Sequence, residues 1–200
     1  MTDAVERAIS IFRKNRGMLR AAQAVEAGVH RNTLYGMLES GVVERLTRGL
    51  YRLTEIPPLS TPDLVAVSQK IPQGVICLVS ALAYHELTTQ IPHVVHVAVA
   101  RNSRPPSLRY PPIRVFRFSG ASFCEGIDRV EMDGATVRIY NPEKTLADCF
   151  KYRNRIGMNT ALEALRFYKE RGRVDVESLL RYAQVCRVAQ VMRPYLEALL

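Results

Sequence analysis

Apolar residues recur at helical spacing at the start of the chain, with charged residues between them. The residues that share this spacing are Val5, Ala8, Ile9 and Phe12. Because positions three and four apart lie on one face of an α-helix, the pattern predicts an amphipathic helix over residues 3–15. Asp3 has the side chain of a typical N-cap, and Arg16-Gly17 follows the predicted end.

The next stretch, residues 20–53, has the spacing of two helices that cross closely. Ala24 is small where the helices would touch, and Gly28 tolerates the positive φ of a tight turn between them. Leu34 would anchor the second helix one turn after its start. The residues that continue its buried face and then end it are Met37, Leu38 and Gly41. The spacing therefore predicts a helix-turn-helix.

The outer face of the second predicted helix is polar. Its residues are His30, Arg31, Asn32, Thr33, Tyr35 and Glu39. Arginine and asparagine make bidentate hydrogen bonds to base edges, and threonine offers a methyl or a hydroxyl group. Since the N-terminal residues of a recognition helix reach the bases, this face predicts contact with the major groove of DNA.

Two short β-prone segments follow, Val42–Leu46 and Leu50–Leu53, joined by a turn at Thr47-Arg48-Gly49. The cations of this predicted hairpin are Arg45, Arg48 and Arg52. A basic hairpin directly after a recognition helix is a wing, whose usual contacts are phosphates or the minor groove. Arg20, just ahead of the helix-turn-helix, is expected to add a phosphate contact.

A second interpretation of the same stretch is a small helical subdomain with a basic, solvated face. The Ala-Gly-Leu spacing alone does not separate the two. The combination of that spacing, the polar helix face and the arginine-bearing hairpin favours DNA binding.

Beyond this stretch the pattern changes to β-prone runs separated by turns and short helices. Pro57-Pro58 resists both helix and central strand, so residues 55–61 are predicted to be a linker. Thr61-Pro62-Asp63 then opens a helix through about Lys70. The predicted strands are Val75–Val79, Val94–Ala100, Ile113–Phe118, Ile127–Met132 and Ala135–Tyr140. Asp133-Gly134 between the last two is a hairpin turn signal, because both positions need positive φ.

The last part of the chain predicts helices. Asn141-Pro142-Glu143 opens the first, Thr160 and Glu163 form a capping-box pattern for the second, and Asp175 caps the third. A fourth is expected over residues 188–200, and Ser80 is expected to cap a short helix within the sheet region. The predicted fold class is α+β: an N-terminal winged helix-turn-helix (1–54), then a domain over 62–200 with a mixed β-sheet (about 75–140) and a C-terminal helical bundle (about 142–200).

Charge strengthens the DNA-binding interpretation. The 200 residues carry a net charge of +9. Residues 1–54 hold 9 Lys and Arg against 5 Asp and Glu, residues 55–140 hold 8 against 7, and residues 141–200 hold 11 against 7. Basic surface attracts DNA without regard to sequence and makes binding salt-dependent.

Composition also bounds the cellular setting. The cysteines, Cys77, Cys124, Cys149 and Cys186, are isolated, so reduced thiols are expected rather than a zinc ribbon or a disulfide framework. No long apolar run and no signal-peptide pattern is found, which predicts a cytoplasmic protein without membrane contact.

Residue patterns that carry catalysis are weak. His93 and His96 are three apart at a strand start, so their side chains point to opposite faces and are poor joint metal ligands. Ser80 lacks the G-x-S-x-G frame of a nucleophile, and no glycine-rich phosphate loop occurs. Glu143 and Asp148 lie about 140° apart on their helix, so they are not a natural carboxylate pair. We therefore predict no catalytic residue, cofactor or metal.

One basic group remains open. Lys151, Arg153 and Arg155 follow the first C-terminal helix closely. They form either a solvated face or an additional contact with DNA or a protein partner.

Four short motifs appear in a particular order. Residues 48–53 read RGLYRL, 79–87 VSALAYHEL, 139–150 IYNPEKTLADCF and 193–200 RPYLEALL. In this order they resemble the AbiEi-type antitoxin family, the transcriptional regulators of type IV toxin–antitoxin systems. One departure from the family pattern is His30, where a Ser or Thr cap usually begins the recognition helix.

The resemblance implies a winged helix that binds inverted repeats in its own promoter. It also implies a C-terminal domain that counters a nucleotidyltransferase-like toxin without a stable complex between the two proteins. Because a single winged helix reads a short site, either dimerisation on DNA or paired binding to repeats is expected.

The leading hypothesis is thus a non-enzymatic DNA-binding autorepressor and antitoxin. One alternative is an enzyme, a nuclease or phosphotransferase with its active site in residues 62–200 that the winged helix recruits to DNA. Another is a protein-interaction module whose winged helix binds a partner instead of DNA.

Overall fold

The structure is a computed structural model that describes residues 3–55, 61–104 and 106–199. Its contacts define two compact units. The first holds residues up to Lys70 together with Glu131–Val137, and the second holds residues 71–130 and 138–200. Most of the predicted linker, including Pro57-Pro58, falls on residues 56–60, which lie outside the described residues.

The first unit begins as the sequence predicts and contains one element that the sequence analysis missed. Its elements are α1 (Asp3–Lys14), β1 (Met18–Arg20), α2 (Ala21–Glu26), α3 (Arg31–Glu39), β2 (Val43–Thr47), β3 (Leu50–Leu53) and α4 (Pro62–Lys70). The unpredicted element is β1, which is too short to show a period of two along the sequence. It pairs antiparallel with β3, so the wing is a three-stranded sheet of order β1-β3-β2.

Helices α2 and α3 form the predicted helix-turn-helix. Ala24 is fully buried, and Gly28 adopts φ +96°, a conformation that glycine reaches without a Cβ clash. The turn is closed by a hydrogen bond from Val29 N–H to the carbonyl of Ala24 at 2.8 Å. The buried apolar residues around it are Ala8, Phe12, Leu19, Ala24, Val29, Leu34, Met37, Val43, Tyr51 and Leu53. Helix α1 therefore closes the core behind the helix-turn-helix through Ala8 and Phe12.

The second unit is a mixed sheet covered by helices. Its elements are β4 (Val75–Ile76), α5 (Leu78–Tyr84), β5 (Val95–Ala100), β6 (Ile113–Phe118), α6 (Ala121–Cys124), β7 (Ile127–Met132), β8 (Ala135–Tyr140), α7 (Pro142–Lys151), α8 (Arg153–Ile156), α9 (Met158–Glu170), α10 (Val176–Val185) and α11 (Ala189–Leu199). The turn ends of β7 and β8 fall in the first unit. The strand order is β6-β5-β4-β8-β7, with β4 antiparallel to β5 but parallel to β8. The predicted α+β fold class is confirmed.

Two predicted caps are wrong. Ser80 does not begin a helix, because α5 starts two residues earlier; its buried hydroxyl accepts a hydrogen bond from His96 N–H on β5 at 2.9 Å. Thr160 lies inside α9, where its hydroxyl donates to the carbonyl of Ile156 at 3.0 Å. The Ser80 hydroxyl bonds a backbone amide of another element, and the Thr160 hydroxyl bonds a backbone carbonyl of the preceding helical turn. A sequence pattern does not distinguish these uses from capping.

Other predicted boundaries are confirmed. Asp133 and Gly134 both adopt positive φ, +49° and +81°, between β7 and β8. Asn141 caps α7 by accepting from Lys144 N–H at 2.9 Å, and Asp175 caps α10 by accepting from Ser178 N–H at 2.9 Å. Local turn and cap chemistry fixed these ends.

Helix α7 forms the centre of the second unit. It packs against α5, α9, α10 and α11, and all its residues from Lys144 to Phe150 are buried. Lys144 and Asp148 are paired there at 2.5 Å, with both side chains fully buried. No helix among the described residues is long and apolar enough to span a bilayer.

Candidate nucleic-acid interface

The start of α3 is fixed by the residue that departs from the family pattern. His30 adopts an extended conformation (φ −65°, ψ 143°), and its Nδ1 accepts a hydrogen bond from Asn32 N–H at 3.3 Å. The imidazole thus caps the helix as a serine or threonine oxygen would. The helix begins at Arg31, as predicted.

Packing orients α3 so that one face is buried and the other is open. Leu34 and Met37, three apart, are buried in the core of the first unit. Arg31, Asn32 and Tyr35 are exposed on the other side, and 54% of Tyr35 is accessible, which is unusual for a large aromatic side chain. Thr33 is half-buried. The face predicted to meet base edges is therefore solvent-accessible.

The wing lies directly against this helix. Strand β2 packs on α3 and pairs antiparallel with β3. An irregularity in the pairing falls between Arg45 and Thr47. Arg45 and Arg48 are exposed, and neither forms an ion pair with a described residue. Two open cations at the edge of a recognition helix suit contact with a phosphate backbone.

Arg52 was predicted with them, and the structure places it elsewhere. Only 5% of its side chain is exposed; its Nε lies 3.2 Å from Glu44 Oε1 and 3.3 Å from the carbonyl of Leu53. Arg52 and Leu50 alternate with Tyr51 and therefore share the other face of the wing sheet. Helix α4 packs against β2 and Leu50 is buried, so this face is not open to solvent. Arg52 is therefore withdrawn from the predicted DNA contacts.

Arg20 is half-buried at the end of β1, where it pairs with Leu50. Its Nη2 is buried and has no hydrogen-bond partner among the described residues.

The structure brings to the wing turn a residue that was not among the predicted DNA contacts. Lys70, at the end of α4, donates from Nζ to the carbonyl of Arg48. The only sequence signal for Lys70 is its position in the last turn of a helix, which is common for a lysine.

The remaining candidates lie in the second unit and are engaged with their own surroundings. Lys151 donates to the hydroxyl of Ser122 at 3.1 Å, Arg153 donates to the carbonyl of Phe150 at 2.9 Å, and Arg155 stacks over Phe116 at 5.0 Å. His96 is buried on β5, whereas His93 precedes that strand and is exposed. The contacts of Lys151, Arg153 and Arg155 named here all lie within the second unit.

Comparison with solved structures supports the fold. The chain is similar to the crystal structure of the RV2827C protein from Mycobacterium tuberculosis, with a TM-score of 0.60. The similarity covers 92% of this chain and 72% of that chain. The two sequences are 13% identical, so this likeness concerns the fold alone. No curated protein sequence matches the chain.

Comparison with family models bears on the first unit. The matched model is described as "Transcriptional regulator, AbiEi antitoxin" and covers residues 6–54, from α1 to just past β3. The match includes the helix-turn-helix and the wing, and it leaves the second unit unmatched. Residues 6–54 are therefore similar to the AbiEi antitoxin family of transcriptional regulators, the family that the sequence motifs also resemble.

Proposed function

We propose that the protein is a DNA-binding transcriptional autorepressor and the antitoxin of a type IV toxin–antitoxin pair. In this proposal α3 reads base edges in promoter inverted repeats and the wing holds the phosphate backbone. The C-terminal domain predicted over residues 62–200 counters a nucleotidyltransferase-like toxin without forming a stable complex with it. No catalytic step is assigned to the chain.

One observation carries the DNA-binding part. Arg31, Asn32 and Tyr35 are exposed on α3, and β2 packs against that helix with Arg45 exposed next to it in the wing. A duplex that meets the helix would therefore also meet wing cations. The family match over the same residues supports this use of the surface.

The proposed contacts divide into two kinds. Arg31, Asn32 and Thr33 would reach bases, with His30 and Tyr35 at bases or nearby phosphates. Arg45, Arg48 and Arg20 would contact phosphates, which fix position but carry no sequence information. The two kinds predict different responses to substitution.

Asn32→Ala tests the base-reading role. We expect it to reduce the preference for the promoter duplex over a scrambled duplex of equal composition by about 1–3 kcal/mol, because a bidentate pair with adenine is lost. Arg48→Ala should instead weaken binding to both duplexes alike. The measurement is a fluorescence-anisotropy titration of the full-length protein on both duplexes at several salt concentrations.

Arg193→Ala is the matched control, since Arg193 is an exposed cation on α11 in the second unit. It should leave both affinities unchanged. Equal losses on both duplexes for Asn32→Ala would rule out base reading. Wild-type protein without any salt-dependent binding would rule out DNA binding.

The antitoxin role is tested by co-expression with the proposed toxin, a nucleotidyltransferase-like protein whose reading frame we expect next to that of this chain. We expect the full-length chain to restore growth, and Arg48→Ala to restore it equally, because the wing is assigned to DNA. The two proteins should not co-purify. Failure of wild-type chain to restore growth would refute the antitoxin role and leave the DNA-binding role standing.

A further inference from the structure

Three cations lie together at the turn of the wing. They come from separate elements: Arg20 from β1, Arg48 from the turn between β2 and β3, and Lys70 from the end of α4. Lys70 Nζ donates to the carbonyl of Arg48. A Cβ at Gly49 would lie 3.9 Å from the same nitrogen, so the ammonium rests directly against the wing turn.

The backbone holds this group in place. Arg20 pairs with Leu50 across the antiparallel β1–β3 ladder. The next residue, Ala21, donates its N–H to the carbonyl of Gly49 at 3.0 Å. Arg20 therefore lies beside the turn that carries Arg48, and contacts with the backbone hold the three positive groups near one another despite their mutual repulsion.

No anion balances the group. None of the three residues forms an ion pair with a carboxylate in the described parts of the chain. Nη2 of Arg20 is buried and has no acceptor among the residues that the structure describes. Burial lowers the pKa of Lys70, and the charges of Arg20 and Arg48 lower it further. The free protein thus keeps like charges close together at an energetic cost.

Such a cost is recovered when an anion binds among the three groups. A phosphate offers several acceptor oxygens, which suits two guanidinium groups and an ammonium approaching from different elements. Arg48 is exposed and Lys70 is half-buried, so an anion can reach the three groups from the solvent around the turn between β2 and β3.

We infer that Arg20, Arg48 and Lys70 form a single phosphate site that clamps one DNA backbone phosphodiester against the turn of the wing. The inference rests on the proposed DNA-binding function, and it adds Lys70 to the DNA contacts. It also makes α4, which follows the family-matched segment, a part of the DNA-binding surface.

The test compares three variants of the full-length protein. Lys70→Gln removes the charge and keeps a donor for the Arg48 carbonyl, Lys70→Arg keeps the charge, and Lys14→Gln removes an exposed charge from α1 in the same unit. Melting temperatures in chloride establish that each variant is folded before any binding is measured.

Binding to the promoter duplex is titrated from low to high salt. We expect Lys70→Gln to lower the slope of log K against log salt by about one and to weaken binding on the order of five- to ten-fold near physiological salt. Lys70→Arg and Lys14→Gln should keep the wild-type slope. A Lys70→Gln slope equal to that of Lys14→Gln would overturn the inference while leaving DNA binding intact.

A second measurement does not depend on DNA. Replacing chloride by about 50 mM inorganic phosphate at equal ionic strength should raise the melting temperature of wild-type protein by roughly 1–3 °C more than that of Lys70→Gln. If wild-type protein fails to bind any duplex, the proposed function falls, and this difference alone decides the phosphate site. Equal shifts for wild type and Lys70→Gln would refute the site.

Discussion

Two sets of cations, one in each unit, are placed in opposite ways. In the first unit Arg31, Arg45 and Arg48 are exposed, and they form no ion pair with a described residue. In the second unit Lys144 is fully buried, 2.5 Å from Asp148 and 4.1 Å from the centroid of the Tyr140 ring. The three arginines of the first unit are available to a partner, whereas Lys144 is used inside the core of the second unit.

The difference follows from what surrounds each charge. Around Lys144 the core provides the Asp148 carboxylate and the faces of Tyr140 and Phe118. Asp148 also accepts from the thiol of Cys186 at 3.2 Å, so its two oxygens are both used. A buried ion pair with this many partners constrains the arrangement of its helix, whereas an open arginine on a wing constrains little.

Removing one member of the buried pair should have the largest effect. Asp148→Ala leaves the Lys144 ammonium without its carboxylate in an apolar core, which should lower the free energy of unfolding by about 3–5 kcal/mol. The double variant Lys144→Met with Asp148→Leu should recover most of that loss, because both desolvated charges are removed. Urea unfolding measures both.

The matched control for this experiment is Arg181→Ala in the same unit. Its guanidinium pairs with Glu125 at 2.7 Å, but 62% of the arginine side chain is exposed. Water screens an exposed pair, so this variant should unfold almost as wild type does. If Asp148→Ala and Arg181→Ala were equally stable, the buried pair would not be a structural element of the core.

A second buried group makes stability depend on pH. Burial lowers the pKa of His96 from 6.5 to about 4, and the nearby Arg114 charge contributes in the same direction. Its Nδ1 has no hydrogen-bond partner among the described residues, and the ring packs on Phe116 at 5.1 Å. Protonation would therefore place an unpaired charge in the sheet.

The sign follows from this lowered pKa. Between pH 6.5 and about 4 the unfolded chain binds a proton at His96 that the folded chain does not, so stability falls as the pH drops through this range. We expect a loss of about 1–3 kcal/mol from this residue. Between these pH values His96→Gln should lose less of its free energy of unfolding than wild type does, by that amount. Urea unfolding at several pH values measures the difference, and parallel pH profiles for the two proteins would contradict the assignment to His96.

The smallest predicted effect sharpens the description of the first unit. Gly36 lies inside α3 on the open side, and a Cβ there would meet nothing within 4 Å. Gly36→Ala should therefore stabilise the free protein by about 0.5–1 kcal/mol through helix propensity. Ala22→Gly in α2 is the control and should change stability in the opposite direction. A destabilised Gly36→Ala would mean that this face of α3 is not open.

Local chemistry explains where sequence analysis succeeded. The Asp133-Gly134 turn requires two positive φ angles, and Asn141-Pro142 supplies both a cap and a preset φ, so the neighbouring ends were predicted from a few adjacent residues. Gly28 and Leu34 likewise placed the helix-turn-helix. The exposed residues of α3 followed from its buried ones.

Long-range packing explains where it failed. In the sequence Arg52 has the position of an exposed wing cation, because it lies on the sheet face opposite to Tyr51. The packing of α4 against β2 shows that this face is not open to solvent. Lys70 is distant from the wing in sequence and reaches Arg48 through the same packing. Lys144 has the polarity of an exposed helix position, and its burial depends on contacts with residues distant in sequence, such as Phe118 of β6.

The cap at His30 also decides which ring nitrogen carries the proton of a neutral imidazole. Because Nδ1 accepts from Asn32 N–H, a neutral imidazole holds its proton on Nε2. The atom left for another molecule is thus a donor, which matches the N7 or O6 acceptors of guanine and does not match the amino group of cytosine. By selecting this tautomer, folding favours hydrogen-bond acceptors over donors as partners for the ring at the start of α3.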